Sequence, residues 1–324
     1  MDKLSLLSRP VEKELAQYKA LFGDALAHED DFLGTALRYV RQRQGKMMRP
    51  ILVLLMAREV GKIGEKSLRS AVALELLHTA SLVHDDVVDE SGERRGQRSV
   101  NAVYDNKVAV LLGDYLLSTT LLQAAVTQDI RIVEIISRLG GTLSEGEMSQ
   151  LAQARTQGVT EEAYFRIIDH KTAALFAACA ELGALSAGGS ADYVAKARRT
   201  GEIMGLCFQI KDDLFDYYAE SRVGKPTGND MREGKLTLPA IYALRNTDRD
   251  DVREWAARVK LGVATEAEIQ QLVDYTKQSG GMEYARSHME KLRGEARELL
   301  SEWKNADVRE SLYAYMDYIV ERER

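Results

Sequence analysis

The sequence predicts an all-α protein, on three observations. Proline occurs only four times in 324 residues, at Pro10, Pro50, Pro226 and Pro239. Nothing between Ile51 and Lys225 therefore carries the roughly 3 kcal/mol penalty of proline in a helix interior. Alanine, leucine, glutamate and arginine, all good helix formers, are abundant. Apolar residues recur at three- and four-residue spacing, while alternating strand-like stretches are scarce.

In chain order, helices are expected at 11–22, 31–44, 50–61, 65–90, 100–125, 129–138, 144–155, 160–186, 191–219, 236–245, 249–258, 265–278, 281–303 and 307–322. The helix at 50–61 holds the apolar run Ile51 to Ala57. That at 65–90 carries Val72, Leu76, Leu77, Ala80 and Val83 on its periodic positions. Val110, Leu111, Tyr115 and Leu116 mark 100–125, and Tyr164, Ile167, Ile168, Leu175 and Phe176 mark 160–186. Breaks are expected at Gly61 to Gly64, Gly92 to Gly96, Gly140-Gly141, Gly188-Gly189, Gly224 to Gly234 and Gly280-Gly281. No Ser/Gly/Pro-rich linker divides the chain, so 1–324 reads as a single helical domain.

Composition narrows the function classes. A net charge of −6 supplies no basic field for nucleic acid. The longest apolar run is far short of the ~18 residues of a membrane span, and the N-terminus has no signal-peptide pattern, so a cytoplasmic protein is expected. The only two cysteines, Cys179 and Cys207, exclude a disulfide framework and cannot by themselves make a zinc site.

Two segments carry the chemistry. Asp85-Asp86-Val87-Val88-Asp89 and Asp212-Asp213-Leu214-Phe215-Asp216 each place Asp-Asp-x-x-Asp near the end of a long apolar helix. Residues four apart share a helix face, so Asp85 projects with Asp89, and Asp212 with Asp216. Stacked like charges cost an isolated helix about 0.2–0.5 kcal/mol per pair, and carboxylates near a helix C-terminus oppose its dipole. A hard divalent cation compensates both; Mg²⁺ uses one or two carboxylates plus substrate phosphates. Basic residues stand close by in sequence: Lys46 and Arg49, Arg94 and Arg95, then Lys225 and Lys235. Arginine forks and lysine point charges are the usual phosphate grips.

With Lys171-Thr172, Gln209 and Asp230, these motifs make the chain resemble the all-trans polyprenyl diphosphate synthases, from about Lys46 to Pro239. The resemblance implies a large antiparallel helical bundle of the type I isoprenoid synthase kind around a central cavity, working as a homodimer. It implies that Asp85, Asp86 and Asp89 with Asp212, Asp213 and Asp216 hold Mg²⁺, about three ions per site in this family. An allylic diphosphate would be gripped with help from Arg94, Lys171 and Lys225. Isopentenyl diphosphate would rest on Lys46, Arg49, His78, Arg95 and Lys235. Thr172 and Gln209 would turn oxygens toward the developing carbocation, and Asp230 would support the second motif. The family's Gly-Gly-Lys-Arg-x-Arg-Pro stretch reads Gln44-Gly45-Lys46-Met47-Met48-Arg49-Pro50 here, short of one glycine and one arginine.

In this family the residues before the first motif measure the product. One helical turn is about 5.4 Å, close to one isoprene unit. Ala80 and Ser81, then Leu77, offer no aromatic plug, which implies a chain longer than geranylgeranyl, in the hexa- to octaprenyl range. Shorter geranylgeranyl or farnesyl products, a class I terpene cyclase and a non-catalytic subunit of a heteromeric synthase are the alternatives. Glu75-x-x-His78 has no second Glu-x-x-His partner, which argues against a di-iron bundle. Gln150, after Glu145 and Glu147, stays outside the expected site.

Overall fold

A computed structural model describes residues 3–42, 45–94, 96–154, 160–218 and 227–322. The described chain is helical almost throughout. Its helices are α1 (Lys3–Ser8), α2 (Glu12–Ala25), α3 (Asp31–Arg41), α4 (Met48–Val60), α5 (Glu65–Val88), α6 (Val100–Val103), α7 (Asn106–Val126), α8 (Ile130–Ala154) and α9 (Glu161–Ile168). They continue with α10 (Ala174–Ser186), α11 (Ala191–Phe215), α12 (Asn229–Arg232), α13 (Leu238–Arg245), α14 (Asp250–Lys260), α15 (Glu266–Gln278), α16 (Gly281–Ser301) and α17 (Ala306–Glu321). One two-stranded hairpin, β1 (Glu93–Arg94) and β2 (Gln97–Arg98), pairs Glu93 with Arg98 and Arg94 with Gln97.

Side-chain caps set several helix starts. Asp30 accepts from Leu33 N at 2.7 Å and Asp105 from Val108 N at 2.8 Å. Thr265 forms a capping box with Glu268. The Asp105 cap explains one departure from expectation: the helix foreseen at 100–125 is split into α6 and α7. Gly140-Gly141 was expected to break the chain, yet α8 runs straight through it. A helix-interior glycine costs only about 1 kcal/mol, which the packed length of α8 outweighs.

The chain divides into two compact units. The first comprises Met1–Gly140, Leu175–Gly201 and Glu302–Ala314. Its centre is α5, which packs mainly along α7 and also on α4 and α2. Leu74, Leu76 and Ala80 of α5 and Leu52 through Ala57 of α4 are fully buried, as expected for helices apolar on nearly every side. Gly113 of α7 lets His84 of α5 lie against its backbone, where a Cβ would collide with the imidazole. The second unit comprises Gly141–Ala174, Glu202–Ser301 and Tyr315–Arg324. Here α13 packs on α16 and α15, and α14 on α15. Cys179 and Cys207 are buried free thiols, one in each unit.

Among the described residues α7 alone is long and apolar enough to cross a membrane by length and composition. Only 39% of its apolar window is buried. The inner face packs on α5, while Val110, Leu111, Leu121 and Leu122 are exposed.

Candidate active site

In the first unit the site is the last turn of α5. Asp85 is half-buried and Asp89, the C-cap, is exposed; the Asp89 amide donates to the Asp85 carbonyl at 2.8 Å. Asp86 faces elsewhere. It is buried, and Arg94 Nε of the hairpin donates to its Oδ1 at 2.7 Å. Asn101 Nδ2 holds the Asp86 carbonyl at 3.1 Å. Two residues expected as a metal ligand and a diphosphate ligand are thus paired with one another.

One and two turns before Asp85, Ser81, Leu82 and His78 are half-buried, whereas Ala80 is fully buried and Leu77 nearly so. Lys46 is exposed on the segment before α4. Met47, which stands where the family has arginine, adopts a left-handed backbone with φ 55° at the α4 N-cap. A side chain larger than glycine bears about 1–3 kcal/mol of strain there. The Arg49 guanidinium lies 5.4 Å over the Phe176 ring, with its Nε buried and unpartnered. An anion would satisfy that donor. Arg95, Lys225 and Gln44 lie outside the described residues.

In the second unit a cavity of about 350 Å³ is lined by Gln209, Asp212, Asp213, Phe215, Asp216, Asp230 and Arg322. The three aspartates of the second motif have different surroundings. Asp213 is buried, accepting from Tyr164 Oη at 2.5 Å and from Gln209 Nε2 at 2.8 Å. Asp216 accepts the backbone amides of Asn229 at 2.8 Å and Asp230 at 3.1 Å, one on each oxygen. Asp212 is partly exposed, and Arg322 Nη2 donates to it at 2.5 Å. The same guanidinium stacks on Phe208 at 3.9 Å.

Burial pushes Asp213 up to about 7, opposed by its two donors and reinforced by Asp212 and Asp216. Burial, then Asp213 and Asp216, hold Asp230 well above the usual carboxylate range. Tyr164 is likewise kept protonated by burial and by Asp213, so it remains a donor.

Lys171 and Thr172 do not sit on a regular helix. Residues Asp169–Ala173 form a π turn between α9 and α10, a distortion frequent at functional sites. Lys171 Nζ meets Glu147 Oε1 at 2.7 Å and Gln150 Oε1 at 2.9 Å, both on α8. Gly146 admits this approach: a Cβ there would stand 3.0 Å from His170 Cβ and 3.1 Å from Lys171 Cγ. Thr172 Oγ1 donates to Gln209 Oε1 at 2.7 Å. Lys235 pairs with Glu233 at 2.5 Å.

The carboxylates fit a hard divalent cation. Their oxygens are the right donors, burial and then neighbouring carboxylates raise the proton affinity of Asp213 and Asp230, and a guanidinium already pairs with Asp212. Among the described residues no three such donors converge tightly enough to cage an ion unaided. Mg²⁺ rarely needs that, since substrate phosphates complete its shell.

The polyprenyl synthetase family profile matches residues 30–276. The chain belongs to the polyprenyl synthetase family. It is 30% identical to the octaprenyl diphosphate synthase of Escherichia coli K12 over 99% of both chains. Two solved structures resemble it over nearly its whole length. A geranylgeranyl pyrophosphate synthase from Bacteroides thetaiotaomicron has 48% identity and a TM-score of 0.88, covering 99% of this chain and 100% of that one. A polyprenyl synthase from Caulobacter crescentus, complexed with calcium and isoprenyl diphosphate, has 30% identity and a TM-score of 0.91, covering 99% and 98%. The all-α isoprenoid synthase fold and the trans-prenyltransferase class expected from the motifs are both confirmed.

Sequence reasoning missed Tyr164 and Arg322, and it left Glu147 and Gln150 outside the expected site. Tyr164 was hidden in an apolar stripe. Glu147 and Gln150 lie three apart on one face of α8, a detectable spacing. Arg322 lies far from every motif in sequence and gave no signal.

Proposed function

We propose that this polyprenyl synthetase joins an allylic diphosphate of the farnesyl or geranylgeranyl type to isopentenyl diphosphate, giving a medium- or long-chain all-trans polyprenyl diphosphate. The observation that carries this reading is the acidic cavity in which Asp212 already holds a cationic group, Arg322. Asp85 and Asp89 would hold Mg²⁺ from one motif and Asp212 from the other, about three ions in all, while Asp86 is held by Arg94, Asp213 by Tyr164 and Gln209, and Asp216 by the Asn229 and Asp230 amides. Bound there, Mg²⁺ supplies Lewis-acid stabilisation of the departing diphosphate.

The chain's own residues do the rest. Lys171, fixed between Glu147 and Gln150, places positive charge where the leaving group becomes more negative. Arg94 adds its outer nitrogens while its Nε stays with Asp86. Arg49, with its unsatisfied Nε, would receive the diphosphate of isopentenyl diphosphate, joined by Lys46, His78, Arg95 and Lys235, while Lys225 would join Arg94 and Lys171 at the allylic diphosphate. Thr172 and Gln209 present oxygen dipoles to the allyl cation, and apolar walls keep water from quenching it. The homoallylic double bond then attacks and a proton leaves for the released diphosphate.

Product length is read from α5. Small residues at Ala80 and Ser81 favour a longer product, and the octaprenyl relative supports it. A geranylgeranyl product is the second reading, favoured by the 48% identity to such an enzyme. Intact aspartates in both motifs weigh against a non-catalytic subunit, and activity of the purified chain alone tests that. The exposed Leu111, Leu121 and Leu122 of α7 suit a homodimer contact rather than a lipid face, since Asp114 lies among them. Sedimentation of wild type beside Leu122→Glu tests it. We place the enzyme in the cytoplasm, where its two free thiols stay reduced. Mass spectrometry of products made from farnesyl and isopentenyl diphosphates tests the reaction and its length together.

A further inference from the structure

The mechanism uses Lys171, Thr172, Gln209 and Asp212, but leaves out the buried hydroxyl of Tyr164. That hydroxyl ends a continuous chain of hydrogen bonds. Thr172 Oγ1 donates to Gln209 Oε1 at 2.7 Å, Gln209 Nε2 donates to Asp213 Oδ1 at 2.8 Å, and Tyr164 Oη donates to Asp213 Oδ2 at 2.5 Å. On α11, Gln209 and Asp213 are four apart and share a face. On the opposing segment, Tyr164 and Thr172 are eight apart. On a regular α-helix eight residues overshoot two full turns by about 80°. Thr172 would then turn away from α11 whenever Tyr164 faced it. The π turn at Asp169–Ala173 takes up one more residue per turn and brings Thr172 back to the Tyr164 side.

We infer that Tyr164 is a positioning residue, acting through Asp213 to lock the register of the π turn that presents Lys171 and Thr172. The inference rests on the prenyltransferase reading for its catalytic consequence. Its structural half stands without it. Gly146 packs against Lys171 from α8, and Glu147 and Gln150 hold its Nζ, but these contacts reach only a glycine and the tip of a long flexible side chain, which leave the helix free to rotate about its axis. The Tyr164–Asp213 bond can, because it fixes one end of the turn to the same α11 face that Thr172 meets at the other.

The test is Tyr164→Phe, which removes one oxygen and keeps the ring beside Phe165. Hydrogen–deuterium exchange on the metal-free protein should show the amides around 169–173 exchanging about tenfold faster, with α13 to α16 unchanged. In turnover, kcat should fall about tenfold to a hundredfold while KM for the allylic diphosphate stays within about twofold. Asp213→Asn should reproduce both effects. The double variant should lose no more than Asp213→Asn alone, since Tyr164 works only through that carboxylate. Unchanged exchange in the π turn in either single variant would overturn the inference. So would additive losses in the double variant. If no elongation is detected in wild type, the prenyltransferase reading fails, while the exchange result still decides whether Tyr164 holds the turn. Should Tyr164→Phe fail to fold, exchange in Asp213→Asn alone decides.

Discussion

Arg322 Nη2 stands 2.5 Å from Asp212 Oδ1, so a partly exposed carboxylate of the second motif is held by an arginine 110 positions further along the chain. The pair is partly open to solvent, which limits its strength. Stacking of the guanidinium on Phe208 adds to it. Arg322→Gln should cost the metal-free protein about 1 kcal/mol in urea unfolding. The same variant should bind Mn²⁺ a few-fold more tightly in calorimetry without substrate, because a competing cation is gone.

The two neighbours Asp85 and Asp86 should separate activity from stability. Asp86 is buried against Arg94, so Asp86→Asn should lose about 2 kcal/mol in unfolding. Asp85→Asn should keep wild-type stability or gain slightly, as like-charge repulsion with Asp89 is relieved, yet lose turnover by orders of magnitude. Paired denaturation curves and initial rates check both halves.

The product ruler is testable one turn before the first motif. Ser81 is half-buried on α5, so Ser81→Phe has room to extend and should shorten the product by one or more isoprene units. Ala80 is fully enclosed, and Ala80→Phe should shorten it too, but with a stability loss of about 1–3 kcal/mol from overpacking. Product masses and melting curves of the two variants distinguish the effects.

Asp129 gives an acid-limb prediction away from the site. The Arg131 hydrogen bond, with help from Lys66, holds its carboxyl down to about 2, below its ordinary value of 3.8. A depressed native pKa means the stabilisation is complete above about pH 4 and is lost as pH falls toward 2. Asp129→Asn should therefore flatten the fall in melting temperature between pH 4 and 2.

The helical class and most helix boundaries were legible because apolar periodicity and caps are local signals. Gly140-Gly141 misled because a tertiary context, not local propensity, decides whether α8 continues. The two aspartate motifs could be located from spacing alone. Which carboxylates are already held by other groups could not, because Arg94, Tyr164 and the Asn229 and Asp230 amides reach Asp86, Asp213 and Asp216 from elsewhere in the chain. The π turn was invisible for the same reason: no residue type marks it, and its partners lie on α8 and α11.

The most direct measurement is the product profile of the purified chain given farnesyl diphosphate, isopentenyl diphosphate and Mg²⁺. The account predicts polyprenyl diphosphates spaced by whole isoprene units, abolished by chelator and by either Asp85→Asn or Asp212→Asn. Elongation that persists undiminished in both variants, or diphosphate release with no elongated product, would contradict it.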